Sequence, residues 1–194
     1  MPEPVSADAR EQVAALIYTS GTSGAPKGVM LTHANLTFTA GIAGSVRGMN
    51  SQDLVYGVLP MAHIVGLSSQ VLGALASGAG VWLSPRFAPE RLAAALREGV
   101  TSFTGVPAMY ARLLDWQRGQ GAAIDAPQLR AIGVAGSPLT PGLKAAIEAA
   151  FRHPVLNGYG LTETAPTIAQ VRADAPRSDC SVGQPVPGIA VRVV

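Results

Sequence analysis

The chain predicts an α/β fold, a mostly parallel sheet with helices on both faces. Two observations predict it. Short apolar runs alternate with longer amphipathic segments, and loops rich in glycine or proline fall where the apolar runs end. Val13 to Ile17 is the first strand. Thr32 to Val46 suits a helix, with Thr32 as its N-cap. Leu54 to Leu59 is a strand stopped by Pro60, Ile64 to Ala76 a helix, and Val81 to Leu83 a strand. Pro89 to Glu98 is helical, with Leu92, Ala95 and Leu96 at i, i+3 and i+4. Thr101 to Val106 is a strand and Ala108 to Gln117 a helix. Leu129 to Ala135 is a strand, followed by the helix Thr140 to Phe151 with Pro141 in its first turn. Pro154 to Asn157 is the last strand of the series, and Gly158 opens a loop. In such sheets ligands sit at the carboxyl ends of strands. The loops Pro60 to Gly66, Gly136 to Leu139 and Gly158 to Thr164 fall there.

Composition narrows the function classes. Of 194 residues, 48% are hydrophobic and 13% charged, with a formal charge of +2 and no basic stripe. That balance argues against disorder and against nucleic-acid binding. The lone Cys180 excludes an internal disulfide and fits a reducing compartment, so a cytoplasmic setting is expected, with peripheral membrane association left open. Ile64 to Pro85 carries no charge over 22 residues, but Ser77-Gly78-Ala79-Gly80 breaks it, so it reads as helix, turn and strand rather than a membrane span. His33, His63 and His153 share no ligand spacing, so a histidine metal site is not expected.

The densest chemical signal is Tyr18-Thr19-Ser20-Gly21-Thr22-Ser23-Gly24-Ala25-Pro26-Lys27-Gly28. Small hydroxyl residues and glycines leave backbone N–H groups open to a ligand, and Lys27 adds a cation, a composition that can surround a polyphosphate. A Walker loop it is not, because Gly28 follows Lys27 where a Ser or Thr would hold Mg²⁺. Gly158-Tyr159-Gly160-Leu161-Thr162-Glu163-Thr164 begins like a dinucleotide fingerprint, but Glu163 stands at the third glycine. A carboxylate beside phosphates makes sense with Mg²⁺ between them. Ala135-Gly136-Ser137-Pro138-Leu139 lacks the glycines of a nucleophile elbow. In Leu59-Pro60-Met61-Ala62-His63-Ile64-Val65-Gly66-Leu67, His63 is either a ligand-facing group or an ordinary packed histidine.

Together with Val29 to Leu36, the first of these segments resembles the signature phosphate loop of the adenylate-forming (AMP-binding) superfamily. Its members are acyl- and aryl-CoA synthetases, peptide-synthetase adenylation domains and firefly-type luciferases. The Tyr159 to Glu163 segment is similar to that family's Tyr-Gly-x-Thr-Glu motif. Gly136-Ser137-Pro138-Leu139 resembles its adenine cradle, with Ser137 in place of the commoner alanine. The resemblance implies ATP-dependent activation of a carboxylic acid. Nucleotide would be held by Thr19, Ser20, Gly21, Thr22, Ser23, Gly24 and Lys27, and by Gly136, Ser137, Pro138, Gly158, Tyr159, Gly160 and Thr162. It implies that Tyr159 packs on adenine, that Thr162 contacts the α-phosphate and that Glu163 binds Mg²⁺. Lys27, Thr162 and Glu163 would be the catalytic set, and His63, Gly136 and Gly160 would border the acid.

Ser181 to Gly188 resembles the family's Gly-x-Pro-x-Pro-Gly element. Residues 1–12 then read as a lead-in, 13–188 as the AMP-binding core, and 189–194 as the apolar start of a further subdomain strand. The family's ribose motif, hinge and catalytic lysine have no counterpart in these 194 residues. The expectation is a piece of the large amino-terminal domain, whose partner is a mobile carboxy-terminal domain of the same chain. The implied enzyme is an AMP-forming acid–thiol ligase using ATP, Mg²⁺ and coenzyme A. A fatty acid is the first choice, because Ala62, His63, Ile64, Val65, Gly66, Val134 and Gly136 include no carboxylate to pair an amino group. An aryl-CoA ligase or a peptide-synthetase adenylation domain is the alternative. For residues 1–194 taken alone, the alternative is a nucleotide-binding module without turnover.

Overall fold

The computed structural model describes residues 7–20, 25–121, 123–192 and 194. Strands β1 (Val13–Thr19) and β2 (Lys27–Thr32) form an antiparallel hairpin apart from the main sheet. Helix α1 (His33–Arg47) follows. Its cap is Thr32, whose hydroxyl accepts from the Asn35 N–H at 3.2 Å, and it ends at Gly48 with φ +66°. Next come β3 (Leu54–Gly57), a π-helical segment (Val65–Leu72) running into α2 (Gly73–Ala76), and β4 (Gly80–Leu83). Then α3 (Pro89–Arg97), β5 (Ser102–Gly105), α4 (Pro107–Gln120), β6 (Ala131–Val134) and α5 (Pro141–Phe151) alternate. The chain ends with β7 (Val155–Gly160), a 3₁₀ turn (Thr162–Thr164), β8 (Thr167–Gln170) and the short β9 (Gln184–Pro185).

The main sheet has the order β4-β3-β5-β6-β7-β8-β9. It is parallel from β4 through β7 and antiparallel from β7 to β9. Tyr56, Phe103, Ile132 and Val155 lie in register across four strands, and all four join the core that contains Leu92, Leu96, Leu113 and Ile147 of α3, α4 and α5. Neighbouring strand residues point to opposite faces. Val55, next to Tyr56, accordingly packs with Ala43 of α1 and Ala74 of α2. Helices therefore cover both faces of the sheet. Among the described residues no helix is long and apolar enough to cross a membrane.

Three sequence readings change. The helix expected over 64–76 opens as a π-helical segment, and its wide turn buries Ser68, Ser69 and Gln70 in succession. Gly158 does not open a loop, because β7 runs on through Gly160 and pairs with β8. Gly160 admits a close neighbour there: a Cβ on it would lie 1.7 Å from the Pro166 carbonyl oxygen. The stretch Lys27 to Thr32 had no strand expectation and pairs as β2. Residues 189–192 and 194 are assigned to no strand.

Candidate functional site

One cavity of about 550 Å³ opens where β5, β6 and β7 end. Several separate stretches of chain wall it. The hairpin contributes Thr19, Ser20 and Lys27, and the register pairs Thr19 with Lys27 at the end where the two strands are connected. The start of the π-helical segment brings His63, Ile64, Val65 and Ser69. Thr104, Val134, Ala135 and Gly136 come from the ends of β5 and β6. Gly158, Tyr159 and Gly160 come from β7, followed by Leu161, Thr162 and Glu163. Pro166, then Thr167 and Gln170 of β8, and Arg47 of α1 complete the wall.

The sequence therefore named most of this wall. Gly21, Thr22, Ser23 and Gly24 lie outside the described residues. Ser137 and Pro138 are exposed and stand off the wall, because Gly136, at φ +88°, turns the chain away after β6. Ala62 and Gly66 are off it too. Gly66 is buried against the preceding loop, where a Cβ would come within 2.2 Å of the Pro60 oxygen. Arg47, Ser69, Thr104, Thr167 and Gln170 were not legible. Arg47 reads in the sequence as an ordinary base in the last turn of a helix.

Local hydrogen bonds set the side chains on this wall. Thr164 Oγ1 accepts from the Leu161 N–H at 3.1 Å and donates to the Pro166 carbonyl at 2.6 Å, closing the turn that carries Thr162 and Glu163. Ala165 then sits at φ +64°, a left-handed conformation uncommon for a residue with a Cβ, and is held by burial with Ile17, Leu31, Leu36 and Ile64. Glu163 and Lys27 are exposed, and neither has an ion-pair partner among the described residues. His63 Nδ1 accepts from the Val65 N–H at 3.2 Å. With Nδ1 an acceptor, Nε2 carries the proton of the neutral ring and can donate to a ligand.

Gln70 is the buried brace beneath. It accepts from the Leu59 N–H at 3.2 Å and donates to the Thr104 carbonyl at 2.9 Å, joining the loop before His63 to β5. Arg47 donates from Nε to Gln170 Oε1 at 3.1 Å and from a terminal nitrogen to the Ser69 carbonyl at 3.2 Å. Burial pushes its pKa down to about 10, so it stays charged near neutral pH.

Chemically, the wall offers a cation, hydroxyls and a turn-borne carboxylate around a space wide enough for phosphates. Among the described residues no group of three His, Cys, Asp or Glu could hold a metal alone. Mg²⁺ needs less. It keeps several waters and takes one or two carboxylates plus phosphate oxygens, so the single Glu163 fits as its one protein ligand.

The AMP-binding enzyme family matches residues 1–194. The chain is 34% identical over 183 residues to the indoleacetate–CoA ligase of Aromatoleum aromaticum, covering 92% of this chain and 35% of the relative. It is 32% identical over 202 residues to the mitochondrial malonate–CoA ligase of Homo sapiens, covering 95% of this chain and 34% of the relative. Among solved structures it is similar to ATP-bound MatB from Rhodopseudomonas palustris, with a TM-score of 0.84 and 29% identity over 92% of this chain and 35% of that one. A malonyl-CoA ligase with methylmalonyl-CoA and AMP bound superposes with a TM-score of 0.85 and 33% identity, covering 96% of this chain and 40% of that one. The chain spans about a third of the length of the curated relatives it matches.

Proposed function

This chain belongs to the AMP-binding enzyme family, and we propose that it carries the nucleotide and acid sites of an AMP-forming acid–thiol ligase. One observation carries the reading: Lys27, His63, Gly136, Tyr159, Thr162 and Glu163, drawn from distant parts of the chain, meet at one cavity. In the first half-reaction a carboxylate oxygen attacks the α-phosphorus of ATP, a P–O bond forms, and pyrophosphate leaves. The step consists mostly of positioning and charge neutralisation. Lys27 and the hydroxyls of Thr19 and Ser20 face the phosphates, Thr162 the α-phosphate, and Tyr159 the base. The Nε2–H of His63 is free to orient the acid's carboxylate. Glu163 would hold Mg²⁺, which when bound offsets charge on the phosphate oxygens. In the second half-reaction the thiol of coenzyme A attacks the acyl carbon, the thioester forms and AMP leaves. A mobile carboxy-terminal domain of the longer protein would complete the site for that step.

For the acid, Ile64, Val65 and Val134 support an alkyl chain, and the proposal keeps a fatty acid in view. The relatives are named for acids as different as indoleacetate, malonate and 4-coumarate, with coenzyme A common to the names. The half-buried cation Arg47 on the same wall favours a second reading. The test is acid-dependent exchange of pyrophosphate into ATP by the full-length protein over fatty, dicarboxylic, aryl and amino acids, followed by thioester formation with coenzyme A. Exchange without thioester formation, or exchange with amino acids only, would move the assignment to an adenylation domain. No exchange with any acid would overturn it.

A further inference from the structure

Arg47 is a cation on the cavity wall that the chemistry above leaves unused. Its two hydrogen bonds go to neutral oxygens, the Gln170 side chain and the Ser69 carbonyl. Among the described residues no carboxylate lies within ion-pair distance of it. A guanidinium has five N–H donors, so most of its fork remains to be matched. Tying α1 to β8 and to the Ser69 turn needs only donors, which a neutral amide would supply. Taking a full charge partly out of water for that purpose carries a desolvation cost with no return in the protein itself.

Its position says what the charge can meet. The β7–β8 register places Gln170 beside Gly158 and Thr167 beside Gly160. The turn with Thr162 and Glu163 lies beyond Gly160. Gln170 and Thr167 are three residues apart, roughly 10 Å along a strand. Arg47, held to Gln170, therefore stands at the end of the cavity away from the phosphate-facing turn. Its second tie, to Ser69, is on the segment whose start presents His63. An acid whose reacting carboxylate sits between His63 and Thr162 extends its tail toward Arg47.

We propose that Arg47 pairs with a second carboxylate on the acid, so that the enzyme activates a short dicarboxylic acid. This rests on the ligase reading of the same cavity. The planar fork suits bidentate pairing with a carboxylate. The apolar residues Ile64, Val65 and Val134 then face the few methylenes between the two acid groups.

The experiment is acid-dependent pyrophosphate exchange by the full-length protein. It compares malonate, succinate and glutarate with butanoate, hexanoate and octanoate, for the wild type, Arg47→Met and Arg47→Lys. The quantity read is the ratio of kcat/KM between the dicarboxylic and the monocarboxylic acid. The wild type should favour one of the dicarboxylic acids, and Arg47→Met should lower that ratio roughly 10²-fold. Arg47→Lys should fall between the two, because it keeps the charge and loses the fork. Equal loss with every acid, or a change confined to the KM for ATP, would make Arg47 a structural or nucleotide group and sink the proposal. A wild-type preference for the monocarboxylic acids sinks it without any variant, while the ligase reading stands. Absence of exchange with every acid overturns both.

Discussion

The side-chain amide of Gln70 donates to the Thr104 carbonyl at 2.9 Å while its oxygen accepts from the Leu59 N–H at 3.2 Å. This one buried side chain joins the π-helical segment to the ends of two strands. Gln70→Leu keeps the bulk and removes the bonds. The expected outcome is a loss of about 1–3 kcal/mol in denaturant unfolding, the usual cost of leaving a buried donor unmatched. KM for the acid should rise, because the loop before His63 loses its brace. Unchanged stability would mean that the loop is held by other contacts.

Glu163→Gln in the full-length protein should slow acid-dependent exchange on the order of 10²–10³-fold, as removal of one positioned transition-state contact does. The Mg²⁺ concentration for half-maximal rate should rise. Glu163 is exposed and without an ion-pair partner among the described residues, so the thermal midpoint should not move. A wild-type rate at limiting Mg²⁺ would reduce Glu163 to a solvated acid.

Two glycines give opposite expectations for the same substitution. A Cβ at Gly160 would meet the Pro166 oxygen at 1.7 Å, whereas one at Gly142 in α5 meets nothing within 4 Å. Gly160→Ala should cost roughly 3 kcal/mol or more by forcing β7 from β8. Gly142→Ala should add about 0.5–1 kcal/mol by restricting the unfolded chain. Calorimetry of the pair checks both signs at once.

Asp179 accepts two hydrogen bonds from the Arg177 guanidinium, at 2.8 and 2.6 Å, and one from the Ser181 N–H at 3.1 Å. The Arg177 bonds are the main reason its pKa is held down at about 2. A lowered carboxylate pKa means that the stabilising contribution is complete above the unfolded value near 3.9 and is lost as pH falls through about 2. The pair is solvent-exposed, so the effect on global stability is small. Carboxyl NMR titration should give a midpoint near 2 in the wild type, moving up toward about 3.9 in Arg177→Ala. A wild-type midpoint already near the upper value would refute it.

What could be read from the sequence was local. Thr32 caps the helix that follows it, Pro141 stands in the first turn of α5, and the 3.6-residue spacing of Leu92, Ala95 and Leu96 marked the buried face of α3. Tyr159 to Glu163 could be named because its residue types stand side by side. What failed depended on partners far along the chain. Gly158 and Gly160 read as loop residues because the strand they admit, β8, is visible only once it is paired. Eight residues, Val65–Leu72, are too few for apolar spacing to separate a π-helical turn from an α-helical one. Arg47 became a site residue only when Gln170, 123 positions away, came to its side.

The cavity's lysine and its turn-borne carboxylate stand on different pieces of scaffold. Lys27 is on the hairpin, which shares no strand pairing with the main sheet, and Glu163 follows the last residue of β7 by three positions. What joins the two pieces is apolar: Ile17 and Leu31 of the hairpin meet Leu36, Ile64 and Ala165 in one cluster. A hydrogen-bonded ladder can shift only by whole residues, but a greasy contact has no direction and yields by fractions of an ångström. Lys27 and Glu163 thus form the tips of a jaw whose bite is gauged by the volumes of five side chains, of which Ile64 alone lines the cavity.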